Sequence, residues 1–296
     1  MIEELTHYGT VLADEPLSRH TTLRVGGPAR YLIYPQDSAS VQGIIDFCHE
    51  HGIMFKVIGR GSNLLVSDQP YNGIVIKLDR SFKEITFYET SVRVASGYSM
   101  IRLANELARR GWSGFEWAGG VPGNIGGGVF MNAGAHGRAI QDNLVRVHVI
   151  NREGEMFWLT NEECQFSYRT SIFQERRDWV ILEAEFHFEV GDSQEITQKM
   201  EQWRHRRQTT QPLQLPNCGS IFRNPESHFA GQLIEELGLK GMKIGGAQVS
   251  EQHANFIVNS DSATAQDIAD LIQYVQKAVA EKYGVNLHQE VEYFNW

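Results

Sequence analysis

Residues 119–137 read GGVPGNIGGGVFMNAGAHG and hold eight of the chain's 28 glycines. Glycine lacks a Cβ, so it permits positive φ and lets another molecule approach the backbone closely. A run this dense leaves two readings, a backbone cradle for a ligand or a crowded turn between packed elements. The flanking segments are rich in hydrophobic residues, which argues against a low-complexity linker.

A second glycine-bearing segment, VIGRGSNLLVSD at 57–68, follows a strand pattern. Gly59, Gly61, Ser62 and Asn63 there offer backbone or side-chain donors. Successive backbone N–H groups can nest an anion without a fingerprint motif, and two such segments can grip a pyrophosphate from both sides. The patterns G-x-G-x-x-G and G-x-x-x-x-G-K-[ST] are absent, so neither a Rossmann nor a P-loop reading follows. The net charge of −9 argues against a general nucleic-acid binder. It leaves room for an anionic small ligand held by local Arg and Lys.

The chain's 296 residues suggest two domains or three small ones. RYLIYP (30–35), MFKVIG (54–59) and GIVIKLD (73–79) read as strands, with SVQGIIDFCHEHG (40–52) a helix. KEITFYETSVRVASG (83–97) reads as a hairpin. MIRLANELARRG (100–111) is an amphipathic helix with Ile101, Leu103, Ala104, Leu107 and Ala108 on one face and Gly111 to end it. LVRVHVINREGEMFWLT (144–160) is a second hairpin, WVILEAEFHFEV (179–190) a long strand, and 193–207 a helix ending in WRHRRQ. QPLQLPN (211–217) reads as an extended linker. FAGQLIEELG (229–238), HANFIVN (253–259) and a helix over 264–283 then build a compact α/β unit, with the boundary near 205. Hairpins mixed with helices favour α+β over a doubly wound parallel sheet.

Cys48, Cys164 and Cys218 are odd in number and far apart, so no disulfide framework or zinc spacing follows. His49 and His51, at a helix end with no third ligand nearby, read as solvated. The start MIEELTHYGT has no apolar signal core, and no run of 18 apolar residues exists, so the expected location is cytoplasmic and reducing.

The order of motifs resembles the UDP-N-acetylenolpyruvoylglucosamine reductase (MurB) family. The residues that carry the resemblance are PLSRHTTLRVGGPA (16–29), GRGSNLLV (59–66), GVPGNIGGGVFMNAGAHG (120–137), SYRTSIF (167–173), GSIFRNP (219–225), AGQLIEELGLKGMKIGGAQVSEQHANFIVN (230–259) and LHQEV (287–291). The resemblance implies an α+β, vanillyl-alcohol-oxidase-type (PCMH-type) FAD-binding fold. Two subdomains, 1–80 and 81–205, hold the cofactor. A C-terminal α/β substrate-binding domain, 206–296, closes over the substrate, and its last strand is expected to pack back toward the site. Non-covalent FAD is expected against Gly59, Arg60, Gly61, Ser62 and Asn63 on one side. On the other side are Gly120, Val121, Pro122, Gly123 and Asn124, then Gly126, Gly127, Asn132, Ala133 and Gly134.

The implied reaction takes hydride from NADPH through FAD to the vinyl carbon C3 of UDP-N-acetylglucosamine enolpyruvate. Charge then develops at C2 and the carboxylate, and C2 takes a proton. Ser220 is the implied proton donor, with Cys218 a rival on acidity. Arg169 is the implied carboxylate partner, through two parallel bonds; a surface ion pair with Glu175 is its alternative. Glu290 either works protonated or orients Arg169 or Ser220, its alternative being a solvent-facing strand position. Asn224 contacts sugar or diphosphate, or simply forms an Asn-Pro turn. Tyr168, Arg206 and Lys243 are further candidates for the anionic substrate, although the basic residues of WRHRR also suit a helix C-terminus.

Only 50 residues separate Arg169 from Ser220, so the chain fits the family variant that lacks an inserted tyrosine loop. No separate nicotinamide domain is visible, and NADPH and the enolpyruvyl substrate are expected to share one pocket. Two other classes remain: a flavin oxidase with covalent FAD, for which His136 is the candidate attachment point, and a non-catalytic flavin- or nucleotide-sugar-binding module.

Overall fold

The computed structural model describes residues 2–296, in two compact units. The first comprises residues up to Asp14, Arg30–Arg60 and Asn72–His205. The second comprises Glu15–Ala29, Gly61–Tyr71 and Arg206–Trp296. The chain thus divides between His205 and Arg206, inside the helix Ser193–Thr210. Two early segments join the C-terminal unit, unlike the contiguous 1–80 span expected. Strand pairing is the reason. Leu64–Val66 runs parallel to Glu292–Phe294, and the Gly27 N–H donates to Ser67 O at 2.8 Å.

A four-stranded sheet, in the first unit but for a few strand-end residues, takes the order Gly9–Pro16, Pro28–Pro35, Tyr71–Lys77, Phe55–Ile58. Its last two strands are parallel, with Phe55 opposite Ile74 and Ile58 opposite Lys77. The helix Ser38–Glu50 begins where Asp37 accepts the Ser40 N–H at 2.8 Å, an N-cap that satisfies an otherwise orphaned donor. It buries Val41, Ile44, Ile45, Phe47 and Cys48 in a core shared with Ile33, Ile74 and Ile76.

The unit's second sheet is antiparallel, in the order Met156–Thr160, Leu144–Ile150, Val180–His187, Ser91–Ala95, Ile85–Phe87. Period-2 alternation puts Val92, Val94, Val147 and Val149 into the core and Arg93, Arg146 and His148 on the other face. The strand expected over 179–190 breaks at Phe188, and Glu189–Val190 pairs instead with Trp112–Ser113. The helix Met100–Arg109 buries Met100, Leu103, Ala104, Leu107 and Ala108, while Ile101 is only half-buried.

The glycine-rich segment is not all loop. Ile125–Phe130 is a helix packed on strands Val180–His187 and Ser91–Ala95, because Ile125 and Val129 are driven into the core.

The second unit holds an antiparallel sheet of Lys243–Ile244, Ala247–Val249 and Ile257–Asn259. The helices Ala230–Glu236 and Ala265–Tyr283 share a core with it that includes Ile234, Val249, Ile268, Ile272 and Val275. QPLQLPN is a pinned turn rather than an extended linker. The Asn217 amide donates to Pro212 O at 3.1 Å and Leu215 O at 2.8 Å.

Candidate active site

In the first unit the two glycine segments meet where strand Phe55–Ile58 ends. A Cβ on Gly59 would lie 3.2 Å from Asn124 Oδ1. That oxygen is buried and has no hydrogen-bond partner among the described residues, while Asn124 Nδ2 donates to Gly97 O. Beneath Gly59, the buried Lys77 gives Nζ–H bonds to Gly59 O at 2.6 Å and meets Asp79 at 3.1 Å. Burial pushes the Lys77 pKa down, opposed by Asp79. Sequence reading missed Lys77; one lysine inside the apolar run GIVIKLD was the available signal.

The glycines of 119–137 divide by what they face. A Cβ at Gly126 would meet Ser96 Cβ at 2.9 Å, at Gly128 Met100 Sδ at 2.5 Å, and at Gly134 Arg138 O at 2.2 Å. These are packing glycines. Gly127 is exposed and a Cβ there meets nothing within 4 Å. The amides of Ile125 and Gly126 are spent on Tyr98 O and Ser96 O, at 2.9 and 2.8 Å. An open Gly127 face beside an orphaned Asn124 carbonyl is what a backbone cradle requires. The residues present fit a cofactor with hydrogen-bonding groups.

SYRT forms a tight turn in which Ser167 and Thr170 exchange N–H···O bonds of 3.1 and 3.0 Å. Arg169 occupies its third position with φ +57, a conformation that favours Gly or Asn. Strain of this kind persists where the surroundings over-determine it and is a pointer to function. Here Gln174 Nε2 donates to Arg169 O at 2.9 Å, Ser171 Oγ to Phe130 O at 2.6 Å, and Asn132 Nδ2 to Ser167 O at 2.8 Å. The Arg169 guanidinium donates to Gly134 O at 2.5 Å and lies 5.1 Å from the exposed Tyr168 ring. Asn132 also exchanges bonds with Gln141, at 2.7 and 3.1 Å. Its side chain is therefore committed to holding the arginine turn, and any cofactor contact it makes is through its main chain.

In the second unit three segments converge. The Gly219 N–H donates to Asn217 Oδ1 at 3.0 Å, and Gly219 has φ +83. Ser220 follows, half-buried, with its hydroxyl engaged by no hydrogen bond among the described residues. Glu290 N–H then donates to Ile221 O at 2.8 Å and Arg223 N–H to His288 O at 2.9 Å. The third segment is GSN. Asn63 Nδ2 donates to Glu290 O at 2.9 Å, and Asn63 O accepts the Glu292 N–H at 2.9 Å. Glu290 therefore lies just before strand Glu292–Phe294, half-buried, with its main chain pinned on both sides.

Cys218 is buried, and burial, helped by the nearby Glu290 carboxylate, pushes its thiol up to about 12. That weakens the acidity that made it a rival to Ser220. Asn224 Oδ1 accepts the Ala230 N–H at 3.1 Å, a local turn contact, and Lys243 is exposed opposite Gln248.

Residues 211–294 match the family described as UDP-N-acetylenolpyruvoylglucosamine reductase, C-terminal domain, and residues 29–160 match one described as FAD binding domain. The chain is similar to UDP-N-acetylenolpyruvoylglucosamine reductase of Bacillus pumilus, with 49% identity over 96% of this chain and 94% of that one. It is also similar to that of Bacillus subtilis, with 47% identity over 99% and 97%. A solved structure of MurB from Thermus caldophilus superposes with TM-score 0.82 and 32% identity, covering 96% of this chain and 98% of that one. The α+β, PCMH-type FAD-binding fold expected from the motifs is the fold of this chain.

Proposed function

The chain belongs to the UDP-N-acetylenolpyruvoylglucosamine reductase family, and on that premise we propose how its own residues carry the reaction. It is an oxidoreductase of peptidoglycan precursor synthesis, a UDP-N-acetylmuramate dehydrogenase that uses FAD and NADPH. The enolpyruvyl group of UDP-N-acetylglucosamine enolpyruvate becomes a lactyl ether. FAD, when bound, supplies the hydride chemistry; the protein supplies geometry and electrostatics.

Arg169 holds the substrate carboxylate, where charge grows during reduction. A planar guanidinium meets a carboxylate through two parallel bonds and stays charged at any working pH. Ser220 gives its hydroxyl proton to C2. An ordinary hydroxyl is a poor acid, but the acceptor here is a developing carbanion, and a fixed donor loses nothing to reorganisation. Glu290 orients Ser220, a role supported by the backbone bond from Glu290 to Ile221, the residue after the serine. FAD is held by Gly59, Arg60, Gly61, Ser62 and Asn63 and by Gly120, Val121, Pro122, Gly123, Asn124, Gly127, Asn132 and Ala133, with Gly126 and Gly134 packing behind them. Tyr168, Asn224 and Lys243 contact the rest of the nucleotide sugar. NADPH and the enolpyruvyl substrate take turns in one pocket, so each half-reaction runs without the other's reactant. The cytoplasm is the proposed location, in keeping with three free, buried cysteines.

The observation that carries this assignment is the Ser220 hydroxyl, engaged by no hydrogen bond among the described residues, on the ladder that also fixes Glu290. Replacing Ser220 with Ala should leave NADPH-driven flavin reduction intact and stop flavin reoxidation by the enolpyruvyl substrate. Loss of both half-reactions would contradict the role.

A further inference from the structure

Ser220 follows Gly219, whose permissive backbone with φ +83 does little to fix what comes next. The serine must be anchored from its other side. There Phe222 is held along both edges. One edge forms the antiparallel bridge with Gln289, flanked by the Glu290–Ile221 and Arg223–His288 bonds. The other edge faces a single side chain. Asn255 Oδ1 accepts the Phe222 N–H at 3.0 Å, and Asn255 Nδ2 donates to Phe222 O at 2.8 Å. Asn255 O also accepts the Ile221 N–H, the first amide after Ser220, at 2.9 Å. The asparagine thus imitates a neighbouring strand.

Asn255 is 5% exposed. Burying a polar side chain at that depth is costly unless its groups are satisfied, and here the partners are the main chain next to Ser220. The chemistry is specific to a carboxamide. Ionised Asp offers acceptors alone, Ala offers nothing, and Ser is too short to bond both groups.

Resting on the role given above to Ser220, we propose that Asn255 is a positioning residue for the proton donor. It fixes the Ile221–Phe222 main chain so that the serine hydroxyl meets C2 of the substrate. The bridge to Gln289 holds the other edge without it, so the fold survives its loss while the serine gains freedom about Gly219.

The test compares anaerobic single-turnover half-reactions of the flavin-loaded enzyme, wild type against Asn255→Ala, Asn255→Asp, Ser220→Ala and Asn259→Ala. Asn259 is a control of the same kind in the same unit: its side chain bonds Leu23 O at 3.1 Å and the Ala263 N–H at 2.8 Å. For Asn255→Ala, reduction by NADPH is expected within about twofold of wild type. Reoxidation by the enolpyruvyl substrate is expected to slow on the order of 10²-fold, the scale of a misplaced reacting group. Asn255→Asp should recover as pH falls, because a protonated carboxyl again offers one donor and one acceptor. Asn259→Ala should change neither half-reaction.

Equal slowing of both half-reactions by the Asn255 variants, or of neither, would overturn the proposal. Loss of flavin by both variants would overturn it too, making Asn255 a residue of the fold alone. Ser220→Ala keeps the failures apart. If it reoxidises at the wild-type rate, the role of Ser220 itself fails; if it is blocked while the Asn255 variants run normally, only the positioning role fails.

Discussion

At the scale of single residues, neighbouring glycines in one segment do different work. Gly126 and Gly128 exist because Ser96 and Met100 leave no room for a Cβ. Gly127, between them, faces open space and lies at negative φ, so nothing in the protein forbids a side chain there. Gly127→Val should therefore fold, since valine costs a helix no more than glycine does, yet lose flavin by steric exclusion. We expect retention weaker by at least ~10-fold, about 1.4 kcal/mol, read as the flavin-to-protein absorbance ratio after gel filtration. Stoichiometric flavin in that variant would move the cradle elsewhere. Arg169 carries the opposite lesson. A bulky residue sits where a turn favours glycine, and three hydrogen-bonded neighbours keep it there.

At the scale of elements, the helix Ala265–Tyr283 shows how sequence specifies a start and a stop. Thr264 Oγ1 accepts the Asp267 N–H at 3.0 Å, Asp267 accepts the Thr264 N–H at 2.9 Å, and Gly284 closes the helix at φ +68. Asp68 accepts the Ala265 and Gln266 amides as well, at 3.0 and 3.2 Å. Thr264→Ala should cost about 1 kcal/mol, read from the urea midpoint. The Thr264 N–H holds the Asp267 pKa below its ordinary 3.8. Its contribution is therefore complete above that value and is lost as pH falls through the lower folded value.

This helix, the Ser38–Glu50 helix and both hairpins were legible because period and caps agree. The pair Leu64–Val66 and Glu292–Phe294 was not: two three-residue strands from opposite ends of the chain carry no periodic signal. Ile125–Phe130 was hidden by glycine's poor helix propensity, which burial of Ile125 and Val129 overrides. Among the candidate residues, motif order picked out Arg169, Ser220 and Glu290. It could not show that Asn63, Asn132 and Asn255 hold them, because spacing does not reveal which main-chain groups a side-chain amide will reach. An Asn flanked by Ala254 and Phe256 in the largely apolar HANFIVN was the available hint.

At the scale of the whole molecule, the chain carries a net charge of −9 and three free, buried cysteines. Among the described residues no group of His, Cys, Asp and Glu could hold a metal ion, and no helix is long and apolar enough to cross a membrane. The central claim is that one flavin site accepts electrons from NADPH and passes them to an enolpyruvyl nucleotide sugar. The visible spectrum of the purified protein tests it most directly, recorded without oxygen before and after NADPH and again after UDP-N-acetylglucosamine enolpyruvate. The account predicts a flavin band that bleaches with NADPH and returns only with that substrate. A band that bleaches and does not return, or a colourless protein that FAD cannot reconstitute, would contradict it.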